Sequence, residues 1–321
     1  MEAAGGEKTT KRSAWLPWTV RVHVMALGAA GDWAQRPVGT VNRFLFLITD
    51  RRARAPTPRT AACAPLTTPV PLPVVVYFHG GGLFFFEQVS EAVGGLGPAG
   101  RHVRFARALG AAVVSVDYRL APEHHFPAAY DDGEAALRYL AANDGIFSVS
   151  VDLSRCFLAG DSAGGNIAHH VAHRWTSDPQ AQPSPDPALR LAGIILLQPY
   201  FGGEERTESE LSLGGVAPVA FFPVAADRNH PAAHVTGEAG PEPELGEGFL
   251  PAMVAVGGLD PLQDWQRRYA AMLLRRKGKK AVRLVEFPDA IHCFYMFPEL
   301  PDAGKLVEET KAFIQTCTAH H

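Results

Sequence analysis

Six apolar runs constrain this chain more than any other feature. PVVVYF (73–78), AAVVSVDY (111–118), CFLAG (156–160), LAGIILLQPY (191–200), AMVAVGG (252–258) and AVRLVEF (281–287) repeat a theme of β-branched and other apolar residues. Runs of this kind belong to strands buried on both faces, the condition of a parallel sheet. Between them lie segments with helical spacing: RFARALG (104–110), DDGEAALRYLAAN (131–143), SAGGNIAHHVAHRW (162–175) and PLQDWQRRYAAMLLRRKG (261–278), with a last helix predicted over 302–317. Strands alternating with helices predict an α/β fold, a mostly parallel central sheet flanked by helices on both faces. In such a sheet reactive groups gather at the carboxyl ends of the strands.

The sheet pattern occupies residues 74–321 and reads as one core. Before it, RRARAPTPRTAACAPLTTPVPLP (51–73) is rich in Pro, Ala and Thr and reads as a linker without a strand. Residues 1–50 form a separate N-terminal segment in which Trp15, Trp18, Val22 and Met25 fall at helical spacing. Arg21 and His23 interrupt its apolar part, so no signal-peptide core forms. No run approaches the roughly 18 apolar residues of a membrane span. A net charge of −3 points to neither nucleic acid nor an acidic membrane as partner. The four cysteines are scattered without a CxxC pair, which argues against a disulfide scaffold and a zinc site. The cytosol is the default compartment, with the nucleus as the alternative.

Gly160-Asp161-Ser162-Ala163-Gly164 matches G-x-S-x-G where the strand CFLAG meets a helix. The motif alone is weak, but strand–turn–helix is the context it needs. Small flanking residues let the backbone turn sharply and lift the Ser162 hydroxyl above the sheet. The helix N-terminus there favours developing negative charge. The plainer reading of Ser162 is a helix N-cap.

His79-Gly80-Gly81-Gly82 follows directly on PVVVYF. Three glycines after a buried strand allow backbone N–H groups to point at a ligand, the arrangement of an oxyanion site. The expected donors are the N–H groups of Gly81, Gly82 and Ala163. A phosphate loop would need a Lys or a G-x-G-x-x-G opening a helix, whereas LFFF follows here. His79, Gly80 and Asp161 flank these donors, and Phe84 leads the aromatic triplet Phe84-Phe85-Phe86. All four are candidates for substrate contact.

A serine is a weak nucleophile at its own pKa and needs a base. His292 lies just past the strand AVRLVEF, at the predicted carboxyl edge of the sheet. The acid should fall between serine and histidine in chain order. Asp260, which ends AMVAVGGLD, lies between a strand and a helix and is favoured. Asp264 should sit a turn into that helix, and Asp289 is so near His292 that the chain would have to double back. The chemistry these residues define is nucleophilic attack by Ser162, with His292 as base, and it calls for no cofactor.

Two other features are set aside. HHVAH (169–173) pairs histidines at helical spacing but lacks the Glu of a zinc-protease helix and any further ligand cluster. RRKGKK (275–280) suits a helix C-terminus, where cations complement the macrodipole and Gly278 ends the helix.

YFHGGG, VDYRLAPEHHFPAAYDDG and LAGDSAGGNIAHH together resemble the hormone-sensitive-lipase-like branch of the α/β-hydrolases, and within it the plant carboxylesterases. RPVGTVNR (36–43) is similar to a segment in the N-terminal lid of those esterases and of their gibberellin-receptor relatives, and QPYFGGEERTESE (198–210) strengthens the match. The resemblance covers most of residues 14–317. It implies an α/β-hydrolase fold with an N-terminal helical lid over residues 1–50, acting on small-molecule carboxylic esters. In the receptor relatives the triad histidine is replaced and hydrolysis is lost, so His292 favours the enzyme. The family usually carries antiparallel strands where this chain has its Pro-rich stretch, and a roof helix where the region after GGEERTESE is shortened.

Overall fold

The computed structural model describes residues 16–22, 24–25, 60–63 (backbone), 70–81, 105–121, 123–147, 149–177, 189–214, 226–236, 245 and 249–319. Seven strands form one sheet: β1 (Thr60–Cys63), β2 (Leu72–Phe78), β3 (Ala112–Val116), β4 (Val151–Asp161), β5 (Leu191–Leu197), β6 (Ala252–Leu259) and β7 (Val282–Ile291). Their order is β1-β3-β2-β4-β5-β6-β7. The six strands from β2 to β7 run parallel, and β1 lies antiparallel on β3. The helices are α1 (Ala128–Ala142), α2 (Ala163–Ser177), α3 (Glu208–Leu213), α4 (Gln263–Lys277) and α5 (Pro301–Thr318). Residues 105–109 are also helical.

The apolar runs are buried on both faces because consecutive side chains of a strand point opposite ways. Along β2, Val74, Val76 and Phe78 join a core with α1, α2 and α4. Val75 faces the other way and packs with residues from 105–109 and α5. Each such fully buried side chain contributes roughly 1.5–3 kcal/mol. The chain leaves β2 for β3 and returns across the sheet to β4, so direction reverses between β2 and β4. A crevice at the carboxyl ends of such a pair is the usual ligand position in an open α/β sheet.

One expectation is corrected, and two features add to the sequence reading. The stretch 51–73 is not merely a linker, since it holds β1, paired from Thr60↔Val116 to Cys63↔Val113, and β2 begins at Leu72. A four-residue edge strand is held by backbone bonds, and TAAC has no side-chain pattern to reveal it. The helix α3 was not foreseen, although Thr207 and Glu210 have capping-box spacing and both capping bonds form. The buried Glu210 carboxylate also meets Arg228 Nη2 at 2.7 Å, tying α3 to residues further along the chain. Near the N-terminus residues 18–22 and 24–25 are helical, yet Trp18, Val22 and Met25 are exposed and Val20 is buried. Trp15 and the segment 36–43 lie outside the described residues.

Of the α2 histidines, His169 belongs to the core and His170 is half-buried beside it. His169 is buried, its Nδ1 lies 2.9 Å from the Tyr269 hydroxyl, and its ring meets Phe201 edge-on. Burial, reinforced by His170 and His173, pushes its pKa well below the usual imidazole range. Burial likewise pushes His170 down to about 3, although its bond to Ala232 O opposes the shift. The unfolded chain protonates both imidazoles near pH 6.5, so below that pH it binds more protons than the folded chain. Stability should therefore be constant from this source above pH 6.5 and fall as pH drops. The expected slope is roughly 1.4 kcal/mol per pH unit for each histidine. Urea unfolding at pH 6.5 and pH 5 checks this, and an unchanged midpoint would contradict it.

Candidate active site

The strand register brings the motif residues together. Phe78 pairs with Gly160, so His79 and Gly80 emerge beside Asp161 and Ser162. Asp161 pairs with Leu197, and Leu259 pairs with Ile291, so Asp260 and His292 leave adjacent strand ends.

Ser162 stands between β4 and α2 with φ of 50°, in the left-handed region. That is not the extended backbone of a side-chain N-cap. Its carbonyl accepts from Gly165 N and Asn166 N and so opens the helix. The turn is this tight because the neighbours lack side chains: a Cβ on Gly164 would collide with the carbonyl oxygen of Phe78 and lie 2.7 Å from that of His79.

The turn lifts the Ser162 hydroxyl to 3.1 Å from His292 Nε2. On the far side of the ring, His292 Nδ1 lies 2.8 Å from Asp260 Oδ2. A proton on Nδ1 donates to that carboxylate and leaves the Nε2 lone pair facing Ser162, whose hydroxyl donates to it. Asp260 is fully buried and also accepts from Leu262 N and Gln266 Nε2, each at 2.9 Å. Burial is the largest single influence and disfavours the imidazolium, but the Asp260 charge and hydrogen bond, joined by those of Cys293, together outweigh it and carry the His292 pKa well above the ordinary value. The two rival acids lie elsewhere. Asp264 accepts from Ser209 N at 2.9 Å, and Asp289 is exposed on β7.

The glycine loop is anchored by Asp161. Its Oδ1 accepts from Gly80 N at 2.8 Å and the Tyr77 hydroxyl at 2.6 Å, and its Oδ2 accepts from the Tyr295 hydroxyl at 3.1 Å. Asp161 and Gly80, both candidates for substrate contact, thus have these polar groups engaged with each other. His79, the third such candidate, is stacked on Tyr118 at 4.5 Å between ring centroids with Nδ1 2.8 Å from Gly80 O. Sequence alone could not reveal these roles, because Gly80 and Asp161 stand 81 residues apart. Gly81 has φ of 111°, which bulkier residues rarely adopt. Ala163 opens α2, so its N–H belongs to the first turn, where no intrahelical acceptor exists. Gly82 and Phe84 lie outside the described residues. Among the described residues no group of three or more His, Cys, Asp or Glu could hold a metal ion. No described helix is long and apolar enough to cross a membrane.

A serine hydroxyl, an imidazole and a buried carboxylate thus lie in line at the edge of a doubly wound sheet, beside a helix N-terminus and a glycine loop. A family model described as the alpha/beta hydrolase fold matches residues 75–296, and the chain belongs to that family. A gibberellin receptor of Arabidopsis thaliana is 35% identical over 93% of this chain and 94% of its own. Carboxylesterase 20 of Arabidopsis thaliana is 39% identical over 66% of this chain and 65% of its own. Among solved structures, an esterase of Pyrobaculum calidifontis is 29% identical, with a TM-score of 0.59 over 77% of each chain.

Replacing Asp161 by Ala would leave the Gly80 N–H and two tyrosine hydroxyls without their acceptor. Asp161→Ala should lower the unfolding free energy by at least about 3 kcal/mol. Urea denaturation measures it, and a loss under about 1 kcal/mol would show that the carboxylate is not the loop's anchor.

Proposed function

We propose that this chain is a serine carboxylesterase acting on small carboxylic esters. One observation carries the reading: the continuous hydrogen-bond path Ser162–His292–Asp260, at 3.1 and 2.8 Å. Ser162 Oγ attacks the ester carbonyl while His292 Nε2 takes its proton. Asp260 holds the imidazole in the required tautomer and stabilises the imidazolium. The N–H groups of Gly81, Gly82 and Ala163 receive the charge on the carbonyl oxygen, and each such donor is worth about 3–4 kcal/mol in comparable sites. His292 then gives its proton to the leaving alcohol. Water, activated by the same imidazole, attacks the acyl-enzyme and releases the acid. Ester and water account for every atom and charge, so the cycle calls for no cofactor.

The carboxylesterase relatives support this reading. A second reading, a gibberellin-binding protein without hydrolysis, draws on the receptor match across 93% of the chain. His292 weighs against it, because a base hydrogen-bonded to the serine is what hydrolysis needs and binding does not.

Purified protein should hydrolyse 4-nitrophenyl acetate and butyrate. Ser162→Ala and His292→Ala should each reduce kcat more than about a thousandfold while remaining folded by circular dichroism. His292 serves as base only when neutral, and its pKa is raised. The acid limb of kcat/KM should therefore have its midpoint above about pH 6.5, the usual imidazole value. A folded protein that turns over neither ester and binds labelled gibberellin would favour the second reading.

A further inference from the structure

Gln198 stands one residue beyond β5, fully buried, with φ of 46°. Its side-chain Nε2 donates to Ile291 O at 3.1 Å, and its Oε1 accepts from Cys293 N at 2.7 Å. Those two backbone groups flank His292. Ile291 is the last residue of β7, and β6 ends at Leu259, its partner, so the sheet ladder stops there. The buried amide supplies both bonds that the ladder does not. Its space is cleared by Gly257, where a Cβ would collide with Gln198 Nε2.

The segment 197–200 also grips the nucleophile. Leu197 O accepts from Ser162 N at 3.0 Å, and Tyr200 N donates to Ser162 O at 2.7 Å. Pro199 O accepts from Gln266 Nε2 at 3.4 Å, and the same nitrogen donates to Asp260 Oδ2. One four-residue stretch thus touches the backbone of the serine, the backbone around the histidine and the glutamine that holds the acid.

We propose that Gln198 is the positioning residue of this site. By clamping the backbone on both sides of His292 from the segment that holds Ser162, it sets the separation of His292 Nε2 and Ser162 Oγ. The proposal rests on reading His292 as the base. Gln198 touches no reacting atom in this scheme, and its effect passes through the histidine's backbone. Loss of the clamp lets the imidazole move, and displacement of a reacting group by about 1 Å can cost on the order of 100-fold.

The test compares the wild type with Gln198→Met, which keeps the side chain's length and loses both bonds. Kinetics with 4-nitrophenyl butyrate are paired with the low-field proton resonance of His292 Nδ1–H in its bond to Asp260. The expected result is a fall in kcat of roughly 10- to 100-fold, little change in KM, and loss or displacement of the resonance. A purely structural role would lower the melting temperature and leave kcat and the resonance unchanged in the folded variant, and that result would overturn the proposal. If Gln198→Met does not fold, Gln198→Glu at pH 8 carries the test. Its carboxylate still accepts from Cys293 N but has no proton for Ile291 O, so the same losses are expected and unchanged values overturn the proposal. A wild type that shows the resonance but hydrolyses no ester would remove the esterase reading alone. The resonance in the variants would then decide the role of Gln198.

Discussion

Everything at the site depends on how closely α2 approaches the end of β2. Gly164 packs where any side chain would strike the Phe78 and His79 carbonyls, and Phe78 pairs with Gly160 in the sheet. These contacts fix the turn at Ser162 and the start of the glycine loop relative to each other before any side chain contributes. The strand order reverses between β2 and β4, the position at which open α/β sheets usually bind their ligands.

Two buried carboxylates then divide the work. Asp161 receives Gly80 N and two tyrosine hydroxyls and holds the glycine loop against the turn at Ser162. Asp260 receives Leu262 N, Gln266 Nε2 and His292 Nδ1 and holds the imidazole. A buried charge is costly unless hydrogen bonds replace its water, and here each carboxylate has three donors. The donors to Asp161 come from β2 and its end and from Tyr295. Those to Asp260 come from the start of α4 and from His292, so each carboxylate ties separate parts of the chain together. The raised pKa of His292 reflects the same Asp260 charge.

How much of this could be read from the chain depended on the range of the interaction. Strands β2 to β7 announced themselves through local apolar runs, and Ser162, Asp260 and His292 could be picked out because each follows such a run. The edge strand β1 could not, since TAAC is short and carries no alternating apolar pattern. The helix α3 carried a readable capping box at Thr207 and Glu210, obscured by the short length of the helix. The roles of Asp161, His79 and Gln198 depend on partners 81, 39 and 95 residues away in sequence. No local pattern encodes such pairings, which follow only once the sheet register is known.

The most direct measurement asks whether Ser162 is an activated nucleophile, whatever its natural substrate. The folded protein is incubated with a fluorophosphonate, and the modified peptide is located by mass spectrometry. A serine activated by His292 gives one adduct, on Ser162, and the adduct disappears in His292→Ala. A folded protein that takes up no label, or takes it up equally without His292, would contradict the catalytic reading.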